Sequence, residues 1–96
     1  MKNNLQNNST IDEKKLDWNI VQNVMKDKFG SDIFDSWLKK IELIDEYKNY
    51  VLISVSTRFI RDWITSRYLD QILKIIKNFK KEIIRVEFKI IEENIN

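Results

Sequence analysis

Tyr50-Val51-Leu52-Ile53-Ser54-Val55 runs directly into Ser56-Thr57-Arg58-Phe59-Ile60. The first six residues alternate, with Val51, Ile53 and Val55 on one side, which predicts a strand with one buried face. Ser56 or Thr57 then supplies the hydroxyl that opens a helix. That helix is expected over about residues 57–80, carried by the i,i+4 row Ile60, Ile64, Tyr68 and Ile72 and joined by Ile75, Ile76 and Phe79. On an ideal wheel its apolar stripe rotates by roughly a quarter turn from start to end, so a bend or a change of packing neighbour is expected. Beyond it, Ile84, Val86, Phe88 and Ile90 alternate with Arg85, Glu87 and Lys89 and predict a final strand.

Upstream, Ile41 to Tyr47 reads as a strand of mixed pattern, and Lys48-Asn49 as the turn of a hairpin with residues 50–55. Ser31 or Asp32 is expected to cap a short helix in which Phe34, Trp37 and Leu38 share a face. Before Gly30, the rows Leu16, Ile20, Val24 and Val21, Met25, Phe29 predict an amphipathic helix over about 12–29. Thr10-Ile11-Asp12-Glu13 fits its capping box, Gly30 its left-handed stop, and Trp18 the edge of its apolar face. The polar, Asn-rich start makes residues 1–11 a mobile tail, followed by one domain over 12–91 and a short tail over 92–96. The expected fold is α+β in the order ααββαβ, a small three-stranded antiparallel sheet with helices packed on one face.

Composition narrows the chemistry. Ninety-six residues suffice for one small domain, with 43% hydrophobic and 33% charged residues at ordinary globular levels. Neither Cys nor His occurs, which removes thiolate metal sites, thiol nucleophiles and the commonest general base. A single glycine excludes phosphate-cradling loops and the G-x-x-G loop of nucleic-acid-binding domains. The adjacent acids Asp12-Glu13, Asp45-Glu46 and Glu92-Glu93 are expected to be solvated surface charge rather than an acid/base pair. No enzyme activity, metal or cofactor is therefore expected. The absence of a long apolar run predicts a soluble, cytoplasmic chain without a membrane span.

Two surface readings remain. Residues 57–82 carry seven cations against three acids, and Arg67, Lys74, Lys77 and Lys81 on that basic helix could meet the phosphates of a single-stranded nucleic acid. The same charges also fit a solvated face on a Lys-rich protein. Phe59, at the helix start beside Arg58 and Thr57, is either a protein-binding anchor ringed by polar groups or peripheral core over the hairpin.

Thr57-Arg58-Phe59-Ile60-Arg61-Asp62-Trp63-Ile64, followed by Tyr68-Leu69, resembles the N-terminal domain of the bacterial chromosomal replication initiator DnaA. In that family the third helix opens with an Arg-Phe, Asp-Trp, Tyr-Leu pattern. The spacing of Trp18 and Trp37, the pair Phe34 and Trp37, and Arg85-Val86-Glu87-Phe88 agree with it, so the likeness covers about residues 12–90. The resemblance implies a KH-like fold without a G-x-x-G loop and a non-catalytic interaction module of replication initiation. Its expected partners are the replicative helicase DnaB and the initiator DnaA or its regulators, with a weak homodimer and weak single-stranded DNA contact besides. It implies a partner surface at Thr57, Arg58 and Phe59, and self-association through Trp18. The family's acidic helicase-contact position falls on Ile33, with Asp32 and Asp35 beside it, and Asp17 stands where a relative has an apolar residue. A free-standing protein or the N-terminal piece of an initiator would both fit, since the sequence carries neither a Walker A loop nor a helix-turn-helix. A free-standing form would be expected to compete for the initiator's partners.

Overall fold

In the computed structural model, which describes residues 15–92, the central strand is β2 (Tyr50–Val55), between β1 (Glu42–Glu46) and β3 (Arg85–Ile90). β1 and β2 form the expected antiparallel hairpin, closed by a 2.8 Å bond from the Tyr47 N–H to the Tyr50 carbonyl. β3 lies parallel to β2, so the sheet is mixed, which corrects the all-antiparallel expectation. The reason is the long connection: parallel neighbours require a crossover, and the helices between residues 58 and 79 return the chain to the starting end of β2. In-register pairs Val51–Val86, Ile53–Phe88 and Val55–Ile90 line the core face. Tyr50–Arg85, Leu52–Glu87 and Ser54–Lys89 line the outer face.

Helices α1 (Trp18–Phe29), α2 (Ser31–Ile33), α3 (Arg58–Arg67) and α4 (Leu69–Phe79) complete the ααββαβ order. The core gathers Val21 and Met25 of α1 and Phe34 and Leu38 after α2. It continues through Ile41, then Val51, Ile53 and Val55, then Ile64, Ile72, Ile75, Ile76 and Ile83. The long third helix is broken at Tyr68 (φ −126°, ψ −6°), which gives α3 and α4 and realises the bend that the rotating stripe implies. Thr57, not Ser56, caps α3: its Oγ1 accepts the Ile60 N–H at 3.1 Å.

Several boundaries differ from the sequence reading. α1 starts at Trp18, and Lys15 to Asp17 are not helical. The Asp17 carboxylate caps α1 by accepting the Asn19 and Ile20 N–H groups, while the Leu16 N–H is held by Glu46. The Thr10–Glu13 capping box lies outside the described residues. Ile20 is exposed, because α1 turns Val21 and Met25 fully into the core, with Val24 and Phe29 packed beside them. Phe79 is likewise exposed at the end of α4, and Ile84 precedes β3 in the open while its neighbour Ile83 is buried. Neither Ser31 nor Asp32 caps α2, because Gly30 occupies that position. α2 runs on into a π turn, Phe34–Leu38, whose Lys39 N–H donates to the Phe34 carbonyl at 2.8 Å.

The mixed pattern of β1 has a structural cause. Ile44 forms a bulge between the pairs Leu43–Ile53 and Asp45–Leu52, which shifts the alternation by one residue. Glu46 therefore points to the helical side and Asp45 away from it. The Glu46 side chain is 5% exposed; it forms an ion pair with Lys80 and accepts the Leu16 N–H at 2.9 Å. Asp45-Glu46 is thus no pair of solvated charges: one member ties β1 to the ends of α1 and α4, because a buried carboxylate needs partners.

Gly30 has φ +90° and ψ 158°, a region open essentially to glycine alone. It ends α1 and begins α2 with no spacer. A Cβ there would meet nothing within 4 Å, so the backbone alone sets the cost of a side chain. Gly30→Ala is expected to lower stability by about 1–3 kcal/mol in chemical denaturation. An unchanged midpoint would show that the turn relaxes without cost.

Candidate protein-interaction surface

The surface around Phe59 starts from the β2–α3 joint. Two residues after Val55 the Thr57 cap turns the chain into a helix, which places Arg58 and Phe59 in its exposed first turn. Phe59 is 67% exposed, the highest value among the large apolar side chains of the described residues. It does not close over the hairpin as peripheral core. Its ring leans on Trp37 of the π turn, with centroids 6.0 Å apart. Trp37 in turn stacks on Trp63 of α3 at 3.7 Å and 14°. Trp63 meets Tyr68 at 4.9 Å, and Tyr68 meets Phe29 edge-on at 5.1 Å. Five rings thus form a continuous row from the exposed Phe59 back to the end of α1. Each such ring contact is worth about 0.5–1.5 kcal/mol beyond burial, so the row is a stiff support for its exposed end.

The remaining expected site residues are placed unequally. Asp32 is exposed on α2, whereas Ile33 is half-buried and packed against the core. The acidic groups that this segment offers to solvent are therefore Asp32 on α2 and Asp35 in the π turn that follows. A hollow of about 180 Å³ opens beside Trp37, lined by Asp35, Lys40, Val55, Ser56 and Ile60 among others. Trp18 is half-buried, and its Nε1 donates to the Ile41 carbonyl at 3.2 Å. Gln22 Nε2 donates to the same carbonyl, so Trp18 helps to tie α1 to the start of β1.

The basic residues do not form one stripe. Arg67 lies before the break at Tyr68, with its guanidinium over the Trp63 ring at 5.6 Å. Lys74 and Lys77 follow on α4, around a shallow hollow shared with Asp70, Gln71 and Leu73 and lined by no aromatic ring. Lys81 is exposed in the turn after α4. The Trp37–Trp63 stack under Phe59 is not among the sequence expectations. A signal for it did exist: Phe59, Trp63 and Arg67 recur at i, i+4 and i+8 and share one helical face. The contact to Trp37 is non-local and has no periodic signature.

Residues 17–78 match the sequence profile of the DnaA N-terminal domain. The chain belongs to that family. The DnaA N-terminal domain match spans α1 through nearly all of α4, including the whole aromatic row. The chain is 33% identical over 84 residues to the chromosomal replication initiator protein DnaA of Wolbachia pipientis wMel, covering 88% of this chain and 18% of that protein. It is 35% identical to the DnaA of Ehrlichia ruminantium (strain Gardel), over 77% of this chain and 16% of that protein. With the DnaA of Anaplasma marginale (strain St. Maries) the identity is 42%, over 59% of this chain and 12% of the relative. The chain thus spans less than a fifth of the length of these relatives. Among the described residues, no helix is long and apolar enough to cross a membrane.

A second aromatic group lies at the hairpin end. Tyr47 and Tyr50 stack at 4.6 Å, and the Arg85 guanidinium sits 4.3 Å from the Tyr50 centroid. The negative charge of Asp45 is the main cause that holds the Tyr47 phenol above the ordinary tyrosine range. Ultraviolet titration is expected to return the Tyr47 phenol toward the ordinary range in Asp45→Asn, and an unmoved titration would show that Asp45 is not the cause. For the first row, Trp37→Ala is expected to cost about 2–3 kcal/mol and to erase the near-ultraviolet circular dichroism of the stacked indoles. Phe59→Ala, at the exposed end, is expected to cost about 0.5 kcal/mol or less.

Proposed function

We propose that this DnaA N-terminal domain is a non-catalytic docking module of replication initiation that binds protein partners through Phe59. The observation that carries the reading is the exposed Phe59 ring, held outward by the Trp37–Trp63 stack rather than folded into the core. A large apolar side chain on a rigid base, ringed by polar groups, has the character of an interface hot spot. Thr57, the cap of α3, and Arg58, its first residue, precede it in the chain, and Asp32 and Ile33 on α2 would complete the surface. The relatives' identity as chromosomal replication initiators makes the replicative helicase DnaB the first partner to expect, with DnaA itself or its regulators next. The exposed part of Trp18 would serve a weak self-association. Residues 12–91 would act as one domain, working in the cytoplasm.

The test is a titration of the purified chain with the replicative helicase of the same organism, wild type beside Phe59→Ala, at two salt concentrations. Phe59→Ala is expected to lose about 2 kcal/mol of binding, roughly a thirtyfold rise in Kd, with little change on adding salt. Binding that ignores Phe59→Ala would remove Phe59 from the interface. Binding to single-stranded DNA that falls steeply with salt, and is lost on charge reversal at Lys74 and Lys77, would instead favour nucleic acid as the ligand.

A further inference from the structure

β3 is an outer strand: its one strand neighbour in the sheet is β2. Its apolar face is covered less well than that of β2. Val51, Ile53 and Val55 are 0%, 0% and 3% exposed, whereas their in-register neighbours Val86, Phe88 and Ile90 are only half-buried. Ile84 and Ile91, just outside the two ends of the strand, are 54% and 46% exposed. Ile84, Val86, Phe88 and Ile90 thus form a row of four incompletely covered apolar residues beside an edge that no strand among the described residues pairs, which natural sheets normally avoid.

The charges on the other face are patterned. Arg85, Glu87 and Lys89 alternate as plus, minus, plus on the outward side of β3. In an antiparallel pairing of β3 with itself, the charge pattern selects the register. Centring the pair on Glu87 sets two glutamates face to face and Arg85 opposite a lysine, which is repulsive. Any shift by one residue joins the apolar face of one copy to the charged face of the other. Centring on Phe88 matches the middle of the strand on both faces and leaves only Arg85 unmatched, beside the partner's Ile91: Glu87 meets the partner's Lys89 twice over, Val86 meets the partner's Ile90, and Phe88 meets the partner's Phe88. Centring on Val86 also matches Arg85 with a glutamate but leaves Ile90 beyond the pairing. The Glu87 carboxylate, bonded to Arg85 at 2.8 Å, has acceptor sites left for a second cation.

We infer that β3 is a self-pairing edge: two copies of this chain join antiparallel about a two-fold axis at Phe88, extending the three-stranded sheet to six strands. The contact is isologous, so it closes at two copies. It buries far less than the ~1,200 Å² of stable interfaces, so the dimer is weak and concentration-dependent. It uses neither the Phe59 surface nor α1, and so stands apart from the docking function proposed above.

The experiment is sedimentation equilibrium of the full chain up to about 1 mM, in wild type and in a Trp18→Ala background that removes contact through α1. Glu87→Lys is expected to weaken the dimer by about tenfold or more, and the double swap Glu87→Lys with Lys89→Glu to restore it to within about threefold. Both backgrounds should show this pattern, and amide exchange should slow in β3 as concentration rises. Glu87 and Lys89 are exposed, and circular dichroism confirms that each variant is folded. A chain that stays monomeric to about 1 mM overturns the inference. So does a dimer that is indifferent to the charge swaps, or one that Trp18→Ala alone abolishes.

Discussion

Parallel pairing between β2 and β3 is the constraint from which the rest of this domain follows. Two adjacent strands that run the same way cannot be joined by a turn, so the chain must travel back along the sheet before it can pair again. Here α3 and α4 make that journey, and their buried isoleucines, Ile64, Ile72, Ile75 and Ile76, roof the core face of β2. The crossover begins only two residues after Val55. Its first turn therefore projects from the end of the sheet, and an apolar residue placed there is presented rather than buried. Phe59 is exposed because of where the crossover has to start.

Presentation alone would leave a mobile ring. The π turn supplies the stiffness, because its wider i to i+5 bond lets Phe34 and Leu38 enter the core while Trp37 reaches α3. Stacking on Trp63 then connects the exposed site to Tyr68, the residue at which the third helix breaks, and so to Phe29 beside Gly30. The helix break, the tight α1–α2 joint and the exposed ring are therefore one mechanical unit. Burial of Glu46 with Lys80 and the Leu16 N–H plays the corresponding part on the opposite side, holding both helix ends to β1.

The element order was legible because each element carries a local signal: alternation in β2 and β3, i,i+4 rows in α1 and α3, a positive-φ glycine between α1 and α2. The break at Tyr68 was legible too, as a rotation of the apolar stripe. What escaped was non-local or hidden by irregularity. Strand direction depends on where the crossover returns, which no window of residues reports. The bulge at Ile44 inverts the facing of everything after it, so Glu46 reads as a surface acid until its alternation is reset. Ser31 and Asp32 are typical cap residues that a positive-φ glycine displaced. Of the candidate site, Phe59 could be singled out from its position on the wheel, but its support by Trp37 spans 22 residues of sequence and shows only in the fold.

The crossover also orders the domain in time. β1 and β2 pair across a two-residue turn, so their contact closes at small entropic cost, whereas the register partners Tyr50 and Arg85 are 35 residues apart. Loop-closure entropy makes β3 docking the late event in folding, after the hairpin and the helices that form the return path. By the same argument, detaching β3 releases more chain freedom than opening the hairpin. Anything that clasps β3 to its neighbour would therefore act on the rate at which this domain unfolds.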